Sequence, residues 1–262
     1  MANPWLPILY AIAIWWLSTG LILYLDGLSR PSHRWSMLAA SALLPPAAWG
    51  LVAAGDMTSV AGAYLGFTCA LVLWGWIEMS FLMGFVTGPR RSPLPEGAGG
   101  WRRFVCAFET VAHHELLLVI SLALVLAIGV FGQNAAGAWT FLALWVMRLS
   151  TKLNIFLGVR NLNEGWLPEH LRYLASYFSR RPMNALFPFS VAASTTAVWS
   201  VLASGFAAGS GSADAAALLL VGTLLALGLV EHLFLVLPIS LDGLFRWGLR
   251  SRGAGAERHA PR

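Results

Sequence analysis

Seven long apolar runs, at about residues 5–25, 36–54, 58–86, 104–131, 137–158, 185–206 and 215–241, are separated by polar joints. A helix needs roughly 20 apolar residues, at about 1.5 Å each, to cross the hydrocarbon of a bilayer. The pattern predicts an all-α integral membrane protein with about seven transmembrane helices. The runs 58–86 and 104–131 are long, so those helices are expected to tilt or to project beyond the lipid. Periodicity does not orient such helices, because their lipid-facing and buried faces are both apolar.

The joints alternate in charge. One set, with the C-terminal tail, holds Arg30 and Arg34; Arg90, Arg91, Arg102 and Arg103; Arg160, Arg172, Arg180 and Arg181; and Arg246, Arg250, Arg252, Arg258 and Arg262. The other set has no Lys or Arg and only two charges, Asp56 and Asp214. The remaining cations, Arg148 and Lys152, lie in the half of the fifth run nearest its basic end. All 17 cations thus agree with one topology. Cytoplasmic loops carry the excess of Lys and Arg, so the N-terminus is expected to be periplasmic and the C-terminus cytoplasmic.

The chain reads as a single polytopic domain over 1–250, followed by a Gly-, Ala- and charge-rich tail at 251–262 that is expected to be disordered. The joint 87–103 contains Gly88-Pro89, Pro93, Pro95 and Gly97-Ala98-Gly99-Gly100, a turn-rich composition. In the joint 159–184, Pro168 and Glu169 suit a helix start. Leu171, Leu174, Tyr177 and Phe178 follow at helical spacing. A short helix near 168–178 is expected, either in the membrane interface or docked on the bundle surface. Leu25-Asp26-Gly27-Leu28 is echoed by Leu241-Asp242-Gly243-Leu244. Each Asp stands four residues before an arginine, Arg30 or Arg246, which is expected to compensate a carboxylate at a helix C-terminus.

Composition narrows the class. The chain is 58% hydrophobic and 11% charged, far below the charged share of soluble domains. Its net charge of +5 does not indicate nucleic acid. The cations are spread along membrane edges, where anionic head groups account for them, and no nucleic-acid motif accompanies them. Cys69 and Cys106 lie in apolar runs and read as packing residues. Met1-Ala2-Asn3-Pro4-Trp5 has no positive n-region, against a cleaved signal peptide. Trp5, Trp35, Trp101, Trp139, Trp166 and Trp247 fall near run ends, as interface anchors do. Trp15, Trp16, Trp74, Trp76, Trp145 and Trp199 fall inside runs.

Ionisable residues inside spans are costly and face protein or water. Here Glu78, His113, His114, Glu115, Arg148, Glu231 and His232 come from four runs, with Glu109 one turn nearer the edge. Counted from the basic ends of the runs at about 1.5 Å per residue, the central groups lie roughly 12–16 Å deep, near the midplane. The third, fourth, fifth and seventh runs are therefore expected to meet. At least one carboxylate should pair with Arg148 or Lys152.

Four readings are open. Glu78, His114, Glu115, Glu231 and His232 can be metal ligands for iron, zinc or manganese, although the Glu-x-x-His pairs of bundle di-iron sites are absent. A histidine can be the axial ligand of haem or chlorin magnesium. Carboxylates and imidazoles can form a proton path. Alternatively the set is a buried ionic network that fixes helix packing, with Glu109, His113, Arg148 and Lys152 as supporting charges. No Walker A, GxSxG or HExxH motif is present.

Several stretches resemble a known family. They are Ser18-Thr19-Gly20-Leu21-Ile22-Leu23-Tyr24-Leu25-Asp26-Gly27-Leu28 and Phe85-Val86-Thr87-Gly88-Pro89-Arg90-Arg91. The longest is Trp145-Val146-Met147-Arg148-Leu149-Ser150-Thr151-Lys152-Leu153-Asn154-Ile155-Phe156-Leu157-Gly158-Val159, with Asn161-Leu162 beyond. Arg181-Pro182-Met183-Asn184 and Glu231-His232 through Leu237-Pro238 complete the set. Over about 15–248 the chain looks like the PuhE family of photosynthetic complex assembly proteins from bacteriochlorophyll-containing proteobacteria. The resemblance implies a multi-pass protein of the bacterial cytoplasmic membrane. It would support bacteriochlorophyll supply or the assembly of reaction-centre and light-harvesting complexes, with complex subunits or pigment-synthesis enzymes as partners. It implies no particular reaction and does not choose between bacteriochlorophyll or haem, a metal ion, and a structural network. A metal-dependent membrane oxidoreductase acting on tetrapyrroles is the alternative.

Overall fold

A computed structural model describes residues 3–162, 164–209, 211–238 and 243–252. Its long helices are α1 (Trp5–Asp26), α2 (Arg30–Ser41), α3 (Leu44–Gly55), α4 (Val60–Leu82), α5 (Gly100–Phe131), α6 (Ala136–Leu157), α7 (Phe187–Ala207) and α8 (Ala213–Phe234). Among the described residues they make seven units long and apolar enough to cross a membrane, with α2 and α3 together forming the second. That unit is interrupted at Ala42 and Leu43 because Pro45 and Pro46 donate no backbone hydrogen bond and crowd the preceding turn. Both then sit in the first turn of α3, where a missing N–H does no harm.

Two helices stop short of their apolar runs. α4 ends at Leu82, and the chain turns through Gly84 at φ +80°. α8 ends at Phe234, ahead of Pro238. Asn161 caps it from far away in sequence: its N–H donates to the Leu235 carbonyl at 2.9 Å, and its side-chain amide donates to the carbonyls of Phe234 and Leu237.

α4 and α8 are the most enclosed spans, while α1 and α7 present most of their surface outward. Phe67 and Leu71 of α4 pack against Leu220 and Leu224 of α8 and Ala11 of α1. On another face, Trp74 and Ile77 pack with Phe141 of α6 and Leu118 of α5. α4 and α6 cross at Gly66 and Gly137, where an added Cβ would come within about 3 Å of the facing backbone. Small residues let membrane helices approach this closely and gain dispersion contacts that lipid cannot supply.

The three basic joints and the described residues 243–252 gather at one end of the bundle. Arg103 donates to the carbonyls of Phe156 and Tyr177 and to Ser179 Oγ, and its guanidinium lies over the Phe156 ring at 4.0 Å. The short helix near 168–178 is present as a 3-10 helix over Glu169–Tyr177. Leu171 and Leu174 dock it on Phe81 of α4. At the opposite end, the Gly55 carbonyl accepts from the N–H groups of Gln133 and Asn134.

Asp26 pairs with Arg252 at 2.8 Å, not with Arg30. The chain turns after α1 and carries Arg30 away on α2, while the segment 243–252 folds back over α1. Gly20 and Gly27, two turns apart, form its seat. A Cβ on Gly20 would overlap the Trp247 ring, and one on Gly27 would lie 2.3 Å from Ser251 Oγ. Phe245 is buried between Trp15 and Trp166. Ser251 and Arg252, the first two residues of the expected tail, are helical. Residues 253–262 and Asp242, the second Asp of the echo, lie outside the described residues. Cys69 and Cys106 are free and buried. Trp5, Trp35, Trp101 and Trp139 are exposed near span ends, whereas Trp247 is half-buried against α1.

Candidate functional site

Arg148 and Lys152 are four residues apart on α6 and therefore share a face. α4 lies on one side of that face and α5 on the other, so each cation takes a carboxylate from a different helix. Arg148 Nη2 donates to Glu78 Oε2 at 3.2 Å, and Lys152 Nζ donates to Glu115 Oε1 at 2.5 Å. The expected carboxylate partners are thus both present. In a low-dielectric interior two charges are tolerated only as such a pair.

His114 stands on the other side of Glu78. Its Nε2 is 3.7 Å from Glu78 Oε1, too far for a hydrogen bond. The imidazole has no exposed surface and packs on Phe81 with ring centroids 4.6 Å apart. Neither ring nitrogen has a hydrogen-bond partner among the described residues. Glu231 is near enough to Arg148 to interact through charge, but makes no ion pair among the described residues. The cluster is therefore one carboxylate held between a guanidinium and a sealed imidazole, with a second carboxylate beside it.

The remaining candidates lie elsewhere. Both nitrogens of His232 are engaged, Nδ1 with the Gly228 carbonyl and Nε2 with Ser150 Oγ, each at 2.8 Å. This residue ties α8 to α6. His113 is exposed on the outer face of α5. Glu109 reaches Arg90 at 3.8 Å near the basic end. Among the described residues no three His, Cys, Asp or Glu side chains converge as metal ligands. Glu78, His114, Glu115, Glu231 and His232 accordingly do not share one centre, and no face of the His114 ring is open to a macrocycle.

Because α4 ends at Leu82 and α8 at Phe234, Glu78 lies one turn from a helix end and Glu231 and His232 fall in a last turn. His114, Glu115 and Arg148 lie about midway along α5 and α6. The loop after α4 closes over the cluster. The Thr87 carbonyl accepts from the His114 N–H at 2.9 Å, and the Arg90 N–H donates to the Glu109 carbonyl at 3.3 Å. Only glycine fits between these bonds, since a Cβ on Gly88 would lie 2.0 Å from the Glu109 oxygen.

A second polar cluster was not anticipated. Asn154 and Asn184 are buried and hydrogen-bonded to each other. Asn184 donates to the carbonyls of Asn154 and Gly158, and its Oδ1 accepts from the N–H groups of Leu186 and Phe187, capping α7. The available signal was Asn154 itself, an amide inside an apolar run, overlooked because it does not titrate.

Related sequences match most of the chain. The family profile DUF3623, described as a protein of unknown function, matches residues 1–256. The chain is 39% identical over 263 residues to an "Uncharacterized 30.4 kDa protein in puhA 5'region" of Rhodobacter capsulatus, with 96% of this chain and 93% of that protein covered. No solved structure matches.

Proposed function

Given that this chain belongs to the DUF3623 family, we propose that it is a factor of the bacterial cytoplasmic membrane that supports bacteriochlorophyll supply or the assembly of photosynthetic complexes. The observation that carries this reading is the near full-length match to a protein named for the puhA 5′ region, the same puh designation as the PuhE family that the motifs resemble. The geometry supports a binding factor over an enzyme. Glu78 and Glu115 are paired with Arg148 and Lys152, His114 is enclosed, and the resembling motifs serve packing: Gly20 and Gly27 seat the C-terminal segment, Gly88 admits the loop, and Asn161 and Asn184 cap helices. Complex subunits or pigment-synthesis enzymes would meet the outward faces of α1 and α7. The metal-dependent oxidoreductase reading draws no support from the positions of the histidines and carboxylates.

The test is complementation. The gene of the Rhodobacter capsulatus relative is deleted and this chain is supplied in its place, with pigment and complex levels read from membrane absorption spectra. Deletion should lower them and this chain should restore them. Unchanged spectra on deletion would sink the proposal.

A further inference from the structure

A cavity of about 340 Å³ opens at the basic end, and Glu78 and His114 are not among its lining residues. Three separate parts of the chain build it. The first turn of α2 supplies Arg30 and His33, the loop after α4 supplies Thr87 and Arg91, and the 3-10 helix supplies His170 and Tyr173. No carboxylate is among its described lining residues, and neither arginine makes an ion pair among the described residues. Elsewhere at this end three arginines take carboxylates, Arg90 with Glu109, Arg180 with Glu164 and Arg252 with Asp26, while others such as Arg102 are solvated at the surface.

The cavity also has unsatisfied polar atoms. Thr87 is 2% exposed, and its hydroxyl has no hydrogen-bond partner. Tyr173 Oη and His170 Nε2 are likewise buried and unpartnered. Thr87 and Tyr173 are close enough to influence each other, and the His170 ring lies beside the Leu82 carbonyl, but no bond of good geometry forms. Buried polar groups are nearly always paired, and these three belong to residues in the wall of the cavity.

We propose that this cavity binds a phosphate group. Two guanidiniums and the positive end of α2 supply charge. Two hydroxyls and the His170 imidazole supply further donors, while His33 Nε2 is engaged with the Leu28 carbonyl. Four tetrahedral oxygens can use that many donors, whereas the two oxygens of a carboxylate cannot. The cavity lies at the basic end of the bundle, beside head groups in the expected topology, so the phosphate comes from a lipid head group or from a soluble compound. This inference stands apart from the function proposed above.

Purified full-length protein in phosphatidylcholine nanodiscs is titrated with inorganic phosphate and followed by phosphorus NMR. In parallel, nanodiscs containing phosphatidylglycerol are used and retained lipid is counted by native mass spectrometry. At least one probe should bind saturably. Arg30→Gln and Arg91→Gln should each weaken it by about tenfold or more, the scale of a charged hydrogen bond. Thr87→Val should weaken it less, while keeping the backbone bond to His114. Arg102→Gln, an exposed cation outside the cavity, should change nothing. Binding of phosphatidylglycerol alone identifies a lipid site, and binding of inorganic phosphate identifies a soluble ligand. Absence of saturable binding by both probes overturns the proposal. Equal weakening by Arg102→Gln overturns it too.

Discussion

Asp26 shows how one side chain chooses its partner. Its carboxylate is fully enclosed, and Arg252 is the cation that reaches it. Removing one member of a buried pair strands the other, at a cost of about 3–5 kcal/mol. Arg252→Met should therefore lower thermal stability in detergent by about 3 kcal/mol, while Arg30→Met should leave it nearly unchanged. Equal losses would return Asp26 to Arg30. The two histidines should also behave differently. His232→Ala removes a tie between α6 and α8, so membrane abundance and photosynthetic complex level should fall together. His114 makes no hydrogen bond from its ring. His114→Ala should lower complex levels with abundance preserved. Normal complexes in that variant, at normal abundance, exclude a functional role for His114.

At the scale of elements, the loop 83–91 joins the end of α4 to the flank of α5. Its seat requires a residue without a side chain at 88. Gly88→Ala forces a shift of backbone against backbone, and overpacking of this kind costs about 1–3 kcal/mol. Trypsin should then cut at Arg90 and Arg91 faster than in the parent chain; an unchanged rate would show that the loop is not held there. The 3-10 helix carries a pH-dependent contribution. Burial, aided by Arg30, His33 and Arg91, holds the His170 imidazole below its ordinary pKa of 6.5. As pH falls below that value, the unfolded chain takes up a proton that the folded chain resists, so stability declines. Thermal unfolding in detergent should show a shallower decline for His170→Gln. The same slope in both would rule out this contribution.

At the scale of the whole molecule, the charges divide the bundle into a basic end and an end tied by Gly55 and Asn134. We propose that the basic end is cytoplasmic, since cation excess in short joints sets orientation. Reporter fusions at Gly99 and Gly209 should report opposite compartments, with Gly99 in the cytoplasm. A shared compartment would contradict the seven-span arrangement. A periplasmic Gly99 would reverse its orientation.

The amino-acid sequence alone determined the number of spans and the segregation of charge. It also determined that at least one carboxylate would pair with Arg148 or Lys152. Bilayer thickness fixes the length of an apolar run, and burial of an unpaired ion is too unfavourable to persist. It could not show which faces look inward, because lipid and protein interiors are equally apolar. Helical rotation of about 100° per residue separates His113, His114 and Glu115, but only the fold assigns them to the exterior, a sealed pocket and Lys152. The tertiary structure also decided the early ends of α4 and α8, the match of Asp26 with Arg252, and the cavity assembled from three segments. Each depends on a partner distant in the chain, such as Asn161 capping α8 or Trp247 lying on Gly20, and distance along a sequence does not encode proximity in the fold.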